Sequence, residues 1–123
     1  MREKAFEKKV KDFLNENDCW ILKTWSNGVQ RSGVPDLLVS CNGHFLGVEL
    51  KNEKGKPSDI QLYNIRNIRK SGGIGIVLYP QQFYSFTRLV DLLKRNATVM
   101  AKELEKHFDK EEWNEKEVWC KNV

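Results

Sequence analysis

The sequence predicts an α/β fold, one domain of order α-β-β-β-α-β-α-α around a mixed central sheet. Three observations carry this expectation. Residues 2–16 set Phe6, Val10, Phe13 and Leu14 at helical spacing among Glu and Lys. Two apolar runs, 36–41 and 44–51, are joined through Asn42-Gly43, the strongest hairpin signal in the chain. A helical segment then leads into the apolar run Ile74–Tyr79. A strand that follows a hairpin through a helix makes a crossover, which adds a parallel partner to the sheet.

The elements can be justified in order. Asn15, Asn17 and Asp18 end the first helix. Residues 19–25, Cys-Trp-Ile-Leu-Lys-Thr-Trp, are rich in aromatic and aliphatic side chains and read as a strand. Ser26-Asn27-Gly28 is a turn signal, and Val29 to Gly33 is a polar approach to the hairpin. Pro35 suits a strand's first position, where a missing N–H is tolerated. Ser58 is an N-cap with Gln61 three residues on, the pattern of a capping box. That helix runs to about Lys70, with Ile60, Tyr63 or Asn64, Ile65 and Ile68 as an irregular apolar stripe, and Ser71-Gly72-Gly73 stops it. Pro80 opens another helical region with Phe83, Phe86, Leu89, Val90 and Leu93 facing inward. From Ala97 to Lys110 the chain reads as a charged helix, and Trp113, Val118 and Trp119 are too apolar for a free tail. They fold back on the domain or meet a second subunit.

Composition narrows the class. The chain has 123 residues and enough apolar content for one core. No apolar run approaches the roughly 20 residues of a membrane helix. The charged start, Met1-Arg2-Glu3-Lys4, lacks a signal peptide's apolar region, so an intracellular setting is expected. Cys19, Cys41 and Cys120 form no CxxC pair, which argues against a zinc knuckle or a disulfide framework. The net charge of +4 is compatible with a phosphate backbone as partner.

The chemistry gathers at the hairpin. Asp36 opens one strand and Glu49 closes the other, so antiparallel pairing brings the two carboxyl groups together. Glu49 and Lys51 are two apart and share a face, while Leu50 points into the core. Two adjacent carboxylates repel unless a proton or a cation lies between them. Asp36, Glu49 and the backbone carbonyl of Leu50 offer oxygens for a hard divalent ion, Mg²⁺ or Mn²⁺. Lys51 can place an attacking water or neutralise a phosphate. Gln61 near the start of its helix can hydrogen-bond that water. Glu7, on the flank of the first helix's apolar stripe, can add a ligand directly or through water, with Glu3 competing for the role. Lys54, Lys56, Arg31 and Lys23 flank the site as contacts for a nucleic-acid backbone. His44 reads as a turn residue, His107 as a surface residue, and Asp59 as a partner of its helix dipole.

Pro35-Asp36, twelve intervening residues and Glu49-Leu50-Lys51 resemble the PD-(D/E)XK nuclease motif. More narrowly, Gly33-Val34-Pro35-Asp36, Val48-Glu49-Leu50-Lys51-Asn52 and the trailing Ser58…Gln61 resemble the virus-type replication–repair nuclease (VRR-NUC) family, in its stand-alone phage or bacterial type. The resemblance covers roughly residues 3–80. It implies a restriction-endonuclease-like α-β-β-β-α-β core with extra C-terminal helices, the core at 1–96 and a helical extension at 97–123 belonging to the same domain or to a dimer interface. It implies a divalent-metal-dependent endodeoxyribonuclease, acting as a homodimer on branched DNA such as four-way junctions, in the cytoplasm of a bacterial host. Asp36, Glu49, Lys51 and Gln61 carry over as site residues. Glu7 is favoured over Glu3 because related junction-resolving nucleases place a Glu three residues before an aliphatic one, as Glu7 stands to Val10. The alternative is a non-catalytic or restriction-like DNA-binding protein on the same fold.

Overall fold

A computed structural model describes residues 2–25 and 32–120. Four strands form one mixed sheet in the order β1-β2-β3-β4: β1 (Trp20–Lys23), β2 (Leu37–Cys41), β3 (His44–Leu50) and β4 (Ile74–Leu78). The first three pair antiparallel, and β4 lies parallel to β3. α1 (Glu3–Glu16) precedes the sheet, and α2 (Asp59–Lys70) is the crossover between β3 and β4. A 3₁₀ turn (Pro80–Gln82) leads into α3 (Phe83–Lys94) and α4 (Thr98–Glu105). The rest is two 3₁₀ turns (Lys106–Phe108 and Glu111–Glu115) and a short α5 (Glu117–Cys120).

Alternation along the strands sorts the side chains onto two faces. Leu37, Val39 and Cys41 of β2, Leu46, Val48 and Leu50 of β3, and Ile74, Ile76 and Leu78 of β4 are buried in one core. Phe6, Val10 and Leu14 of α1 join them, as do Phe86, Leu89 and Val90 of α3 and Ala101 of α4. Phe13 lies at the rim, edge-on to Phe83 and Phe86. On the opposite face Val77 and Tyr79 pack with Leu62 and Ile65 of α2 and with Trp113 and Trp119. The two tryptophans meet edge-on. β4 is therefore buried along its whole length. Gly75 makes the approach of α2 possible: a Cβ there would lie 2.9 Å from the Ile65 carbonyl oxygen.

Some sequence expectations need correction. The first strand spans Trp20–Lys23, shorter than 19–25. The buried residues of α2 are Leu62, Asn64 and Ile65, whereas Ile60 and Tyr63 are exposed. The reason is that α2 is covered on two sides, by β4 and by the Trp113–Trp119 segment, so the stripe turns toward the line between them. The charged helix expected from Ala97 to Lys110 ends at Glu105, and the backbone at Asp109 is extended. It is broken because Glu105 and Phe108 are both drawn into the interior. His44 opens β3 beyond the turn, with Nε2 2.8 Å from Asn96 Oδ1. The tryptophan segment folds back on its own domain.

The contact between the C-terminal segment and the sheet is polar as well as apolar. Glu105, 4 % exposed, accepts a 2.8 Å hydrogen bond from the Gly75 N–H. Arg69 reaches Glu105 at 3.5 Å and holds Asp109 with two nitrogens at 2.7 and 2.9 Å. Lys102 donates to the Gly73 carbonyl and lies 3.4 Å from Glu105. A buried acid without such partners would be costly.

Candidate active site

The site lies where β2 begins and β3 ends. Leu37 is paired with Val48, so the next residues out, Asp36 and Glu49, face each other across the strands. The start of β2 is pinned from two sides. Thr24, following β1, donates its N–H to the Asp36 carbonyl at 2.9 Å and its hydroxyl to the Pro35 carbonyl at 2.8 Å. Asn64 of α2 donates to the Ser32 carbonyl at 3.1 Å. Gly33 (φ +77°) lies so close to α2 that a Cβ would come within 2.8 Å of the Ile60 carbonyl oxygen. Neither Thr24 nor Asn64 stands out in the sequence as a support for Asp36, because each acts through backbone far away in the chain.

Asp36 Oδ2 accepts a 2.9 Å hydrogen bond from the Leu50 N–H. Glu49 alternates with Val48 and Leu50 and so points away from the α1 core; only 2 % of it is exposed. Lys51 Nζ is 3.5 Å from Glu49 Oε2. Glu49 Oε1 is buried and has no hydrogen-bond partner. Burial, and then the Asp36 charge beside it, push the Glu49 carboxyl up to about 8, against the pull of Lys51.

Glu7 arrives from the other side, on α1. Lys23, whose side chain shares a face with the core residues of β2, lies 3.0 Å from Glu7 Oε1 and 3.9 Å from Asp36 Oδ1. Lys11 adds a weaker contact, 3.3 Å from Glu7 Oε2. Burial alone would raise the Glu7 carboxyl, but the hydrogen bonds and charges of Lys23 and Lys11 together hold it below its ordinary value. Glu3 is exposed in the first turn of α1. Lys23, expected as a contact for nucleic acid, is turned toward these two acids in the free chain. Arg31 lies outside the described residues.

Gln61 forms the expected capping box. Its side-chain oxygen accepts from the Ser58 N–H at 2.8 Å, and its N–H donates to Ser58 Oγ. Its carbonyl is thus committed to the helix start, and only its amide NH₂ is left to offer. Asp59 pairs with Lys116 at 3.0 Å as well as standing in the first turn of α2. Lys54 and Lys56 are exposed on the loop after β3. Tyr79 fixes that loop: its hydroxyl donates to the Gly55 carbonyl at 2.7 Å. Cys19 and Cys41 are buried free thiols, and burial, with Cys19 alongside, pushes Cys41 up to about 12.

A restriction-endonuclease-like sheet with an acid pair and a lysine at this corner has a counterpart among solved structures. A structure described as a VRR_NUC domain is 32 % identical, with a TM-score of 0.53, over 63 % of this chain and 82 % of its own. The chain belongs to the VRR_NUC domain family. It is thus a nuclease-type domain. No protein-family model matches the sequence, and no curated protein matches it.

PD-(D/E)XK-like nuclease domains generally use divalent metals, and the donors here can be tested for fit. An orphaned, buried Glu49 oxygen beside a second carboxylate is chemistry that a hard cation completes. Among the described residues no three His, Cys, Asp or Glu side chains gather around one point. Asp36 and Glu49 face each other across β2 and β3, and Glu7 pairs with Lys23 and Lys11. No helix among the described residues is long and apolar enough to cross a membrane.

Proposed function

We propose that this protein is a divalent-metal-dependent endodeoxyribonuclease that hydrolyses phosphodiester bonds in branched DNA during replication, recombination or repair. The observation that carries this reading is Glu49: an acid at the end of an otherwise apolar strand, buried, with one oxygen unpartnered and Asp36 and Lys51 beside it. An acid kept there against its desolvation cost fits a role that needs negative charge at a fixed point. Asp36, Glu49 and the Leu50 carbonyl would hold Mg²⁺ or Mn²⁺, with water filling the other positions. The ion, when bound, supplies Lewis acidity: it lowers the pKa of a bound water and offsets charge growing on the phosphate.

The chain's own residues do the rest. Leu50 orients Asp36 through its N–H, so the carboxylate is set before substrate arrives. Lys51 is placed to orient the attacking water or to neutralise a phosphate oxygen. The Gln61 NH₂ remains free to donate to the same water. Lys54 and Lys56 present charge to the DNA backbone from a loop that Tyr79 steadies. None of these contacts reads a base edge, which favours recognition of DNA shape. A homodimer suits a two-armed substrate, since two sites can then address two strands.

The test is a cleavage panel of linear, flap, fork and four-way-junction DNA in Mg²⁺ and in Mn²⁺. Cleavage of the branched forms that Asp36→Ala abolishes is the expected result. Undiminished cleavage by Asp36→Ala would remove the assignment. Tight metal-independent DNA binding without cleavage would mark a binding module on the same fold.

A further inference from the structure

Lys23 has an unusual position. It belongs to β1, yet its ammonium lies between an acid of α1 and an acid at the start of β2: 3.0 Å from Glu7 Oε1 and 3.9 Å from Asp36 Oδ1. The Lys23 and Glu7 side chains are about three-quarters removed from solvent. Glu7 therefore reaches the Asp36 corner, but a cation attached to the chain already stands between them. Lys11, the other partner of Glu7, sits one turn along the same helix.

We propose that Lys23 restricts this centre to a single divalent ion. Its ammonium takes the place a second ion would occupy between Glu7 and Asp36. The proposal rests on the metal-centre reading of Asp36 and Glu49 and goes beyond it by fixing the number of ions and giving Lys23 and Glu7 a positioning role. The physical argument is simple. Two carboxylates on either side of a gap attract a cation, and the one that is covalently tethered is always at hand. An ammonium has no lone pair to give and cannot ligate a divalent ion, so the two cations exclude each other by charge. The geometry divides the acids into two sets. Asp36 and Glu49 face each other across β2 and β3, with one Glu49 oxygen unpartnered, and Glu7 is held by lysines.

The experiment counts ions without requiring turnover. Mn²⁺ is titrated into the full chain, and bound metal is followed by electron paramagnetic resonance and calorimetry, with folding checked by circular dichroism. The wild-type chain is expected to bind one Mn²⁺. Lys23→Met, which keeps the unbranched stem of the side chain and removes its ammonium, is expected to bind two, with the spin–spin broadening of a close pair. Lys23→Arg is expected to return to one, and Glu7→Gln combined with Lys23→Met also to one. Two ions in the wild-type chain overturn the proposal. So does a single ion in a folded Lys23→Met variant, and that result leaves the Asp36–Glu49 centre standing. Absence of Mn²⁺ binding in both chains removes the metal-centre reading and this proposal together.

Discussion

The carboxylate of Asp36 is fixed by the peptide N–H of Leu50, 2.9 Å away, on the strand that also carries Glu49. One acid of the pair is thus positioned by the neighbour of the other. The relationship makes the site sensitive to small changes in that side chain, and it separates charge from shape. Asp36→Asn retains an oxygen acceptor for Leu50 and loses the negative charge. Cleavage is expected to fall by about 10²–10³-fold or more, with Tm unchanged or slightly raised. Melting curves beside initial rates check it, and a large fall in Tm would mean that the loss reflects folding.

Glu49 gives a pH dependence with a definite sign. Its folded-state value of about 8 lies above the ordinary 4.5, so the folded chain retains a proton that the unfolded chain has released. The Glu49 contribution to stability is then fully present below pH 4.5 and is lost as pH rises toward 8, levelling off beyond. In the metal-free protein Glu49→Gln is expected to flatten that fall and to stabilise at pH 8 by on the order of 1–3 kcal/mol. Urea denaturation at pH 6 and pH 8 with and without the substitution measures this.

Metal binding moves the other way with pH. A bound cation needs the carboxylate, so binding must release the Glu49 proton. Apparent Mn²⁺ affinity is expected to rise close to tenfold per pH unit between about pH 6 and 8 and then to plateau. Calorimetry in two buffers of different ionisation enthalpy reads the released proton directly. A pH-independent affinity would place the ion elsewhere.

Glu105 is a structural acid. Glu105→Ala leaves the Gly75 N–H without its acceptor and takes away one of the two acids near Arg69, at a point that is buried. A loss of about 3 kcal/mol is expected. Because Asp109 still pairs with Arg69, the cost stays below that of stranding a charge completely. Differential scanning calorimetry reports it, and cleavage of folded protein at low temperature should be unaffected.

Gly75→Ala tests the packing of α2. Its Cβ would meet the Ile65 carbonyl oxygen at 2.9 Å, which is backbone and cannot rotate away. A destabilisation of about 1–3 kcal/mol is expected. Gly43→Ala has open space around it but a φ of +84°, so its cost comes from backbone strain alone. Comparing the two separates crowding from conformation.

The parts of the molecule that could be read in the sequence are those governed by local chemistry. The 3.6-residue spacing of Phe6, Val10 and Leu14 gives α1 its buried face, and Asn42-Gly43 gives the hairpin whose register sets Asp36 against Glu49. Ser58 and Gln61 form their capping box within four residues. The parts that were not legible depend on meetings between distant segments. Leu62 and Ile65 bury themselves against Trp113 and Trp119, some fifty residues on, so the stripe of α2 could not be assigned from its own periodicity. Glu105 looks like one more charge in a charged helix until Gly75 and Arg69 are brought to it. Lys23 reads in the sequence as a contact for a nucleic-acid backbone, and its pairing with Glu7 shows only once α1 is packed beside β1.

The double covering of β4 has a consequence for how the chain must be made. The strand is complete at Leu78, and on its α2 face Trp113 and Trp119 finish the cover that Leu62 and Ile65 begin. A ribosome releases residues in order, so Val77 and Tyr79 emerge well before the aromatic pair that shelters them. During that interval the nascent chain carries an apolar flank exposed to neighbouring chains. Late delivery of the final segment is therefore expected to lower the yield of folded protein when the chain is made in a crowded cell.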